Sequence, residues 1–174
     1  MGGYMSRTEP DTNRRAVAII KGDPVQGTAV SGAVWFLQER EGAELKIAGE
    51  IGGLKPGQHG FHVHQYGDMS DGCTSAGPHL NPYNMMHGGP KDSVRHMGDL
   101  GNVEAGSNGV AKIDMTDKQL SLYGQHSIIG RSIVVHADPD DLGKATGNKM
   151  AESKETGNSG MRVGCGIIAV ASSN

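Results

Sequence analysis

The chain has 174 residues with 16 basic and 19 acidic side chains, a formal net charge of −3; one domain of ordinary size accounts for the length, and the charge gives no support to a nucleic-acid or anionic-membrane partner. Glycine fills 28 positions and aromatic residues only 4%, a composition poor in helix formers and rich in turns that points to an all-β fold. No apolar run approaches the roughly 20 residues that span a bilayer, and residues 1–15 hold no apolar segment of the signal-peptide kind, so a soluble, cytoplasmic protein is expected.

Residues 1–15 are polar, with Pro10 and an Arg14-Arg15 pair, and are expected to form a flexible lead-in to one domain over 16–174. Met1-Gly-Gly-Tyr-Met-Ser6 also fits the loose N-myristoylation pattern, although a single acyl chain anchors only marginally. Short apolar or alternating runs at 16–20, 30–37, 45–51 and 60–64 read as strands, as do 110–115 (after the turn signal Ser107-Asn108-Gly109), 132–136 and 163–170. Two stretches break the pattern, 65–99 and 137–160; both exceed the usual loop limit of about 12 to 15 residues, and loops of that length inside a compact domain are functional or disordered. Cys73 and Cys165 form no CxxC pair, and two thiols in an intracellular protein are more often free than bridged.

The histidines separate function from linker. His62-Val-His64 puts two imidazoles on one face of a strand, because side chains alternate with period two, so both can reach one ion. With this histidine content such a pair arises roughly 0.4 times by chance and decides nothing alone. In the long loop His79, His87 and His96 follow one another, with Asp99 three residues beyond; three imidazoles and a carboxylate make the closed tetrahedral set that suits Zn2+. His136 ends an Ile-Val-Val run, where it can project toward His62 and His64, and four imidazoles in a tetragonal array suit Cu(II).

Read in order, His59-Gly-Phe-His-Val-His64, Gly67-Asp68, Gly72-Cys-Thr-Ser-Ala-Gly-Pro-His79, His87-Gly-Gly-Pro-Lys91, Arg95-His-Met-Gly-Asp-Leu-Gly-Asn102, Ile128-Ile-Gly-Arg131, Val134-Val-His136, Asp140-Asp-Leu-Gly-Lys144 and Gly164-Cys-Gly166 make the chain resemble the eukaryotic copper/zinc superoxide dismutases from Ala16 to Ala171. The resemblance implies an eight-stranded Greek-key β-sandwich or flattened barrel with two long functional loops. It implies copper at His62, His64, His79 and His136, and zinc at His79, His87, His96 and Asp99, with His79 bridging the two. Asp140 would accept hydrogen bonds from His62 and His87 and so fix their tautomers. Cys73 and Cys165 would form a disulfide, against the compositional expectation. The implied reaction converts two superoxide anions and two protons to O2 and H2O2 by alternate reduction and reoxidation of copper, with His79 as ligand and proton donor.

Arg162 corresponds to the family's channel arginine, a fixed cation for a small anion. Screening leaves only charges near the channel mouth effective, so Lys144 and Lys154 are its expected helpers. The stretch from His136 to Arg162 is slightly longer than in common animal forms, and Glu155 stands where a guiding lysine is often found; this predicts weaker steering unless Lys154 substitutes. A homodimer through Gly67, Ile129, Gly130, Ile167 and Ala169 is implied, as is a copper-loading chaperone as a partner. His59 and His126 match structural positions, and Trp35 and Met85-Met86 read as packing or loop surface. Two non-catalytic alternatives remain: a copper-delivery protein, which would carry extra cysteine pairs, and a metal-buffering protein that had lost a copper ligand or Arg162. The chain has neither feature.

Overall fold

Alternation of burial along each strand sets the architecture of residues 13–172, the part of the chain described by the computed structural model. In β1 (Arg14–Gly22) Ala16, Ala18 and Ile20 are buried while Ile19 between them faces outward. The same period runs through β2 (Ser31–Gln38), β3 (Leu45–Gly52) and β7 (Ala111–Asp117). With β4 (Gly57–His64), β6 (Asp99–Ala105), β8 (Ser132–His136) and β9 (Arg162–Val170) these strands close into an antiparallel barrel in the order β1-β2-β3-β7-β6-β4-β8-β9. Strands β3 and β4 are consecutive in the chain yet separated by β7 and β6, which makes the connection between them a Greek-key crossover. The barrel interior holds Phe36, Ile47, Ile51, Phe61, Ile133 and Ile168, with Leu120, Leu122 and Ile128 from the loop after β7. Each such side chain contributes about 1.5–3 kcal/mol through burial.

The seven runs read from the residues all lie on strands, and the eighth barrel strand, β6, falls outside them. Its sequence, Asp-Leu-Gly-Asn-Val-Glu-Ala, is poor in β-formers and holds Gly101 at φ 75°; pairing with β4, across a register shift between Gly60 and His62, imposes the strand. Its contact with β7 is thin, a single register pair, Ala105 with Ala111, closed by a turn in which Gly106 N–H donates to Val110 O. A short strand β5 (Ser70–Cys73) and a helix α1 (Met150–Thr156) lie in the two long stretches expected to be irregular. The lead-in expected over 1–15 and the acylation pattern at its start fall on residues outside those described, except that Arg14 and Arg15 already pair with Gln38 and Leu37. Among the described residues no helix is long and apolar enough to cross a membrane.

Strand β4 positions the chemistry. Phe61 and Val63 point into the core, so His62 and His64 emerge on the outer face. On β8, Ile133 and Val135 point inward and Val134 and His136 outward. The two long loops lie over this outer face and bury it.

Candidate metal centre

Folding gathers the predicted ligands into two adjoining clusters. His62, His64, His79 and His136 bring one ring nitrogen each to within 4.8 Å of one another; His79, His87, His96 and Asp99 do the same, so His79 belongs to both sets. His79 reaches the barrel face through an isolated β-bridge to His64.

Hydrogen bonds fix which nitrogen each ring turns inward. His62 Nε2 donates to Asp140 Oδ2 (2.7 Å) and His87 Nε2 to Asp140 Oδ1 (2.8 Å). His64 Nδ1 donates to Gly77 O (2.8 Å) and His136 Nδ1 to Gly160 O (3.1 Å). The opposite nitrogens of three of these rings, His62 Nδ1, His64 Nε2 and His136 Nε2, are buried without a hydrogen-bond partner, while His87 Nδ1 faces Asp99 Oδ1 at 2.9 Å. A buried polar atom left unpaired costs about 1–3 kcal/mol, and the three bare lone pairs of His62, His64 and His136, converging from rings whose outer nitrogens are occupied, form part of a ligand set.

The second cluster has the dimensions of a zinc site. Asp99 Oδ1 lies 3.0, 2.9 and 3.2 Å from Nδ1 of His79, His87 and His96, and His79 Nδ1 lies 3.1 Å from His96 Nδ1. A tetrahedron with bonds of about 2.0 Å has edges of about 3.3 Å. Asp99 Oδ2 is held separately by the N–H groups of Gly88 (3.0 Å) and His96 (2.7 Å). Burial alone would push the Asp99 carboxyl up, but bonds from His79, His87 and His96 hold it far below the ordinary range, and therefore ionised. The first cluster has four imidazoles and no carboxylate, a donor set that suits copper among other transition metals. Burial, then charge repulsion from its neighbours, lowers His62 and His64, and burial draws His136 down to about 3, so these rings are in the neutral, ligating form. His87 is pulled down by burial but pushed further up, to about 9, by Asp140 and Asp99; metal binding would displace that proton.

Residues 30–168 match the family described as copper/zinc superoxide dismutase (SODC). The chain belongs to this family. It is 56% identical over 155 residues to a superoxide dismutase [Cu-Zn] of Onchocerca volvulus, with 89% of this chain and 95% of that protein covered. It is equally identical over 164 residues to superoxide dismutase [Cu-Zn] 3 of Arabidopsis thaliana, with 94% and 95% covered. An extracellular superoxide dismutase [Cu-Zn] of Brugia pahangi matches at 56% over 89% of this chain and 75% of its own length. The chain is thus a copper- and zinc-dependent oxidoreductase that disproportionates superoxide.

In this dismutase the disulfide is formed, Cys73 to Cys165 at S–S 2.12 Å, joining β5 to β9; the free thiols expected from composition are absent because the fold stacks these two strands' ends. Arg162 opens β9, where Nη1 donates to Cys73 O (2.8 Å) and Nη2 to Gly77 O (2.7 Å). It lines a cleft of about 760 Å3 that also contains His64, His79, His136, Lys154 and Glu155. Lys154 spends its ammonium on Gly143 O (2.6 Å). Lys144 is exposed on the same loop and does not line that cleft. His59 is buried between His136 O and Lys55 O, each 2.8 Å from a ring nitrogen, and His126 meets the edge of the Tyr83 ring.

Four supporting residues had no role in the sequence reading. Asn102 clamps the Asp140 backbone at both its N–H and its carbonyl (2.7 and 2.9 Å). Gly157, left-handed at φ 73°, caps α1 against Asp140 and His87 with no room for a Cβ. Asp141 ties the α1 loop together by accepting from Ser153 Oγ and Asn158 Nδ2, both at 2.6 Å. Arg95, buried in the long stretch before β6, bonds Asp117 and the carbonyls of Pro90, His96 and Met97. Arg95, Asn102 and Asp141 sit in the motifs that carried the family resemblance and Gly157 lies outside them; their types alone carry no ligand signal.

Proposed function

We propose that His62, His64, His79 and His136 hold the copper, that His79, His87, His96 and Asp99 hold the zinc, and that superoxide reacts at the first set. The shared position of His79 carries this reading: Nδ1 faces Asp99 and His96, which leaves Nε2 for the histidine-only cluster. Bound there, copper supplies one-electron chemistry between its 2+ and 1+ states, which zinc lacks.

The chain's own residues do the rest. Arg162 offers an entering anion a guanidinium whose position is set by two carbonyl acceptors before any substrate arrives, so no side-chain ordering is required at encounter. His79 Nε2, when it is not donating to copper, would hold one of the two protons that turn reduced superoxide into H2O2, and water would supply the other. Asp140 acts as a positioning residue, keeping the His62 and His87 lone pairs aimed inward.

Metal content and dismutation measured on the same samples test the assignment. His79→Ala should lose both metals' normal occupancy and the activity, whereas Arg162→Ala should keep both metals and lose rate, most steeply at low ionic strength. Full metal content and full rate in His79→Ala would overturn it.

A homodimer is proposed through the outer face of β1 and β9, where the expected contacts Ile167 and Ala169 line an apolar hollow with Val17, Ile19 and Met69; sedimentation equilibrium tests it. A copper-loading chaperone as partner and a cytoplasmic location are proposed with it. Relatives from Brugia pahangi and Onchocerca volvulus are named extracellular, so cell fractionation decides the location.

A further inference from the structure

Two side chains at the cleft have no part in the chemistry above. Met85 and Met86 line it beside His64, His79 and His136, and remain 37% and 57% exposed. Their placement is built into the zinc loop. Asn81 Nδ2 donates to Met85 O and Asn81 Oδ1 accepts from Met85 N–H, both at 2.9 Å, and Asn84 between them takes a positive φ of 51°. Just before Asn81, Leu80 is anchored to the barrel by backbone bonds to Val63 and Gly98. The pair is therefore presented by a braced turn.

A thioether is a soft, uncharged donor that selects Cu(I) over zinc and the hard cations. The same cleft carries Glu152 and Glu155, whose carboxylates balance Arg162 and Lys154, so that no net positive charge repels an approaching cation. Three of the four nitrogen donors assigned to copper line this cleft, so an ion held by the methionines has its destination in the same cavity.

We propose that Met85 and Met86 form a Cu(I) docking site at the cleft, from which the ion passes to His64, His79 and His136. The proposal rests on the copper assignment given above. No electron changes hands: sulfur lone pairs hold the Cu(I), neutral ring nitrogens displace them, and the ion keeps its charge throughout. Two thioethers bind weakly, which suits a site the ion must leave.

The test uses Ag(I), a redox-inert stand-in for Cu(I), on the full chain loaded with zinc and reduced copper, so that the histidine clusters are already filled. With methyl-labelled methionine, one equivalent of Ag(I) should move the Met85 and Met86 methyl signals and leave those of Met150 and Met161 in place; these two are 53% and 58% exposed and lie outside the cleft. The double variant Met85→Leu/Met86→Leu should weaken Ag(I) binding at least tenfold and leave dismutation by the fully loaded protein unchanged. It should also slow copper uptake from a coloured Cu(I) chelate into the zinc-loaded, copper-free chain several-fold. Equal shifts at all four methionines, or no shift at Met85 and Met86, would overturn the docking site; normal uptake by the double variant would overturn its role in delivery. The Ag(I) result does not depend on which residues hold copper, so it fails separately from the assignment.

Discussion

Replacing Arg95 with methionine should unfasten the zinc loop from the barrel. The guanidinium is buried, pairs with Asp117 Oδ2 at 2.7 Å and donates to the carbonyls of Pro90 (2.8 Å), His96 (3.0 Å) and Met97 (2.7 Å). Methionine fills much of the volume but removes the guanidinium donors from the carbonyls of Pro90, Met97 and His96, of which His96 O keeps only the Asp99 N–H, and leaves Asp117 with only the N–H groups of Gln119 and Leu120 on its other oxygen. Removing one partner of a buried ion pair costs about 3–5 kcal/mol, most of it the penalty on the charge left behind. In a domain of this size about 1 kcal/mol moves Tm by 2–4 °C, so calorimetry of the metal-depleted, disulfide-intact chain should record a fall of roughly 6–20 °C. Because His96 hangs from this bracket, zinc affinity measured against a competing chelator should fall by about 10–100-fold. The double variant Arg95→Met/Asp117→Leu, which removes the stranded carboxylate, should recover most of the lost stability. A loss below about 1 kcal/mol in the single variant, or no recovery in the double, would refute the bracket.

Three further substitutions probe the centre. Gly157→Ala drives a methyl group into Asp140 and His87 at a left-handed residue; affinity for both metals should drop by about 10–100-fold, and unchanged chelator competition would show that the helix cap does not seat the carboxylate. Asp141→Asn should destabilise the chain above pH 5. Burial pushes the Asp141 carboxyl up, but bonds from Ser153, Asn158 and Gly143 outweigh it and hold it below the ordinary range. A depressed acid stabilises above its unfolded value of about 3.9 and loses that contribution as pH falls through the folded value, so the urea midpoints of wild type and variant should differ at pH 7 and draw together as the pH falls below about 3.9. Glu155→Lys puts a cation in the cleft and should raise the superoxide rate by about two- to five-fold at low salt, with the gain vanishing near 1 M, where the Debye length is about 3 Å; a salt-independent rate ratio would sink the steering account.

The clustered side chains were legible from residue type and spacing read together with the motifs around them. A histidine pair at strand period decides nothing alone, but within the ordered motifs it marks residues that the fold gathers, His62 with His79 and His79 with Asp99. Strands with regular alternation, such as β1 and β3, were legible for the same reason. What escaped was held by partners distant in sequence. Strand β6 is extended because β4 pairs with it, and α1, less than two full turns with no side-chain N-cap, persists through Asp141, Gly143 and the His87 N–H bonded to Lys154 O. Arg95 and Asn102 act by bonding backbone carbonyls, which one residue type can do almost anywhere, so only the folded arrangement distinguishes them from solvated side chains.

The barrel is a ring of eight strands in which neighbours share five or more register pairs at most junctions, four between β4 and β8, and one, Ala105 with Ala111, between β6 and β7. A ring parts at its thinnest junction. Opening there would turn two interior strands into free borders with unpaired N–H and C=O rows, the kind of surface on which chains stack end to end into fibrils. The integrity of the cylinder therefore depends on the Gly106–Val110 turn, a short surface segment at the opposite end of β6 from Asp99.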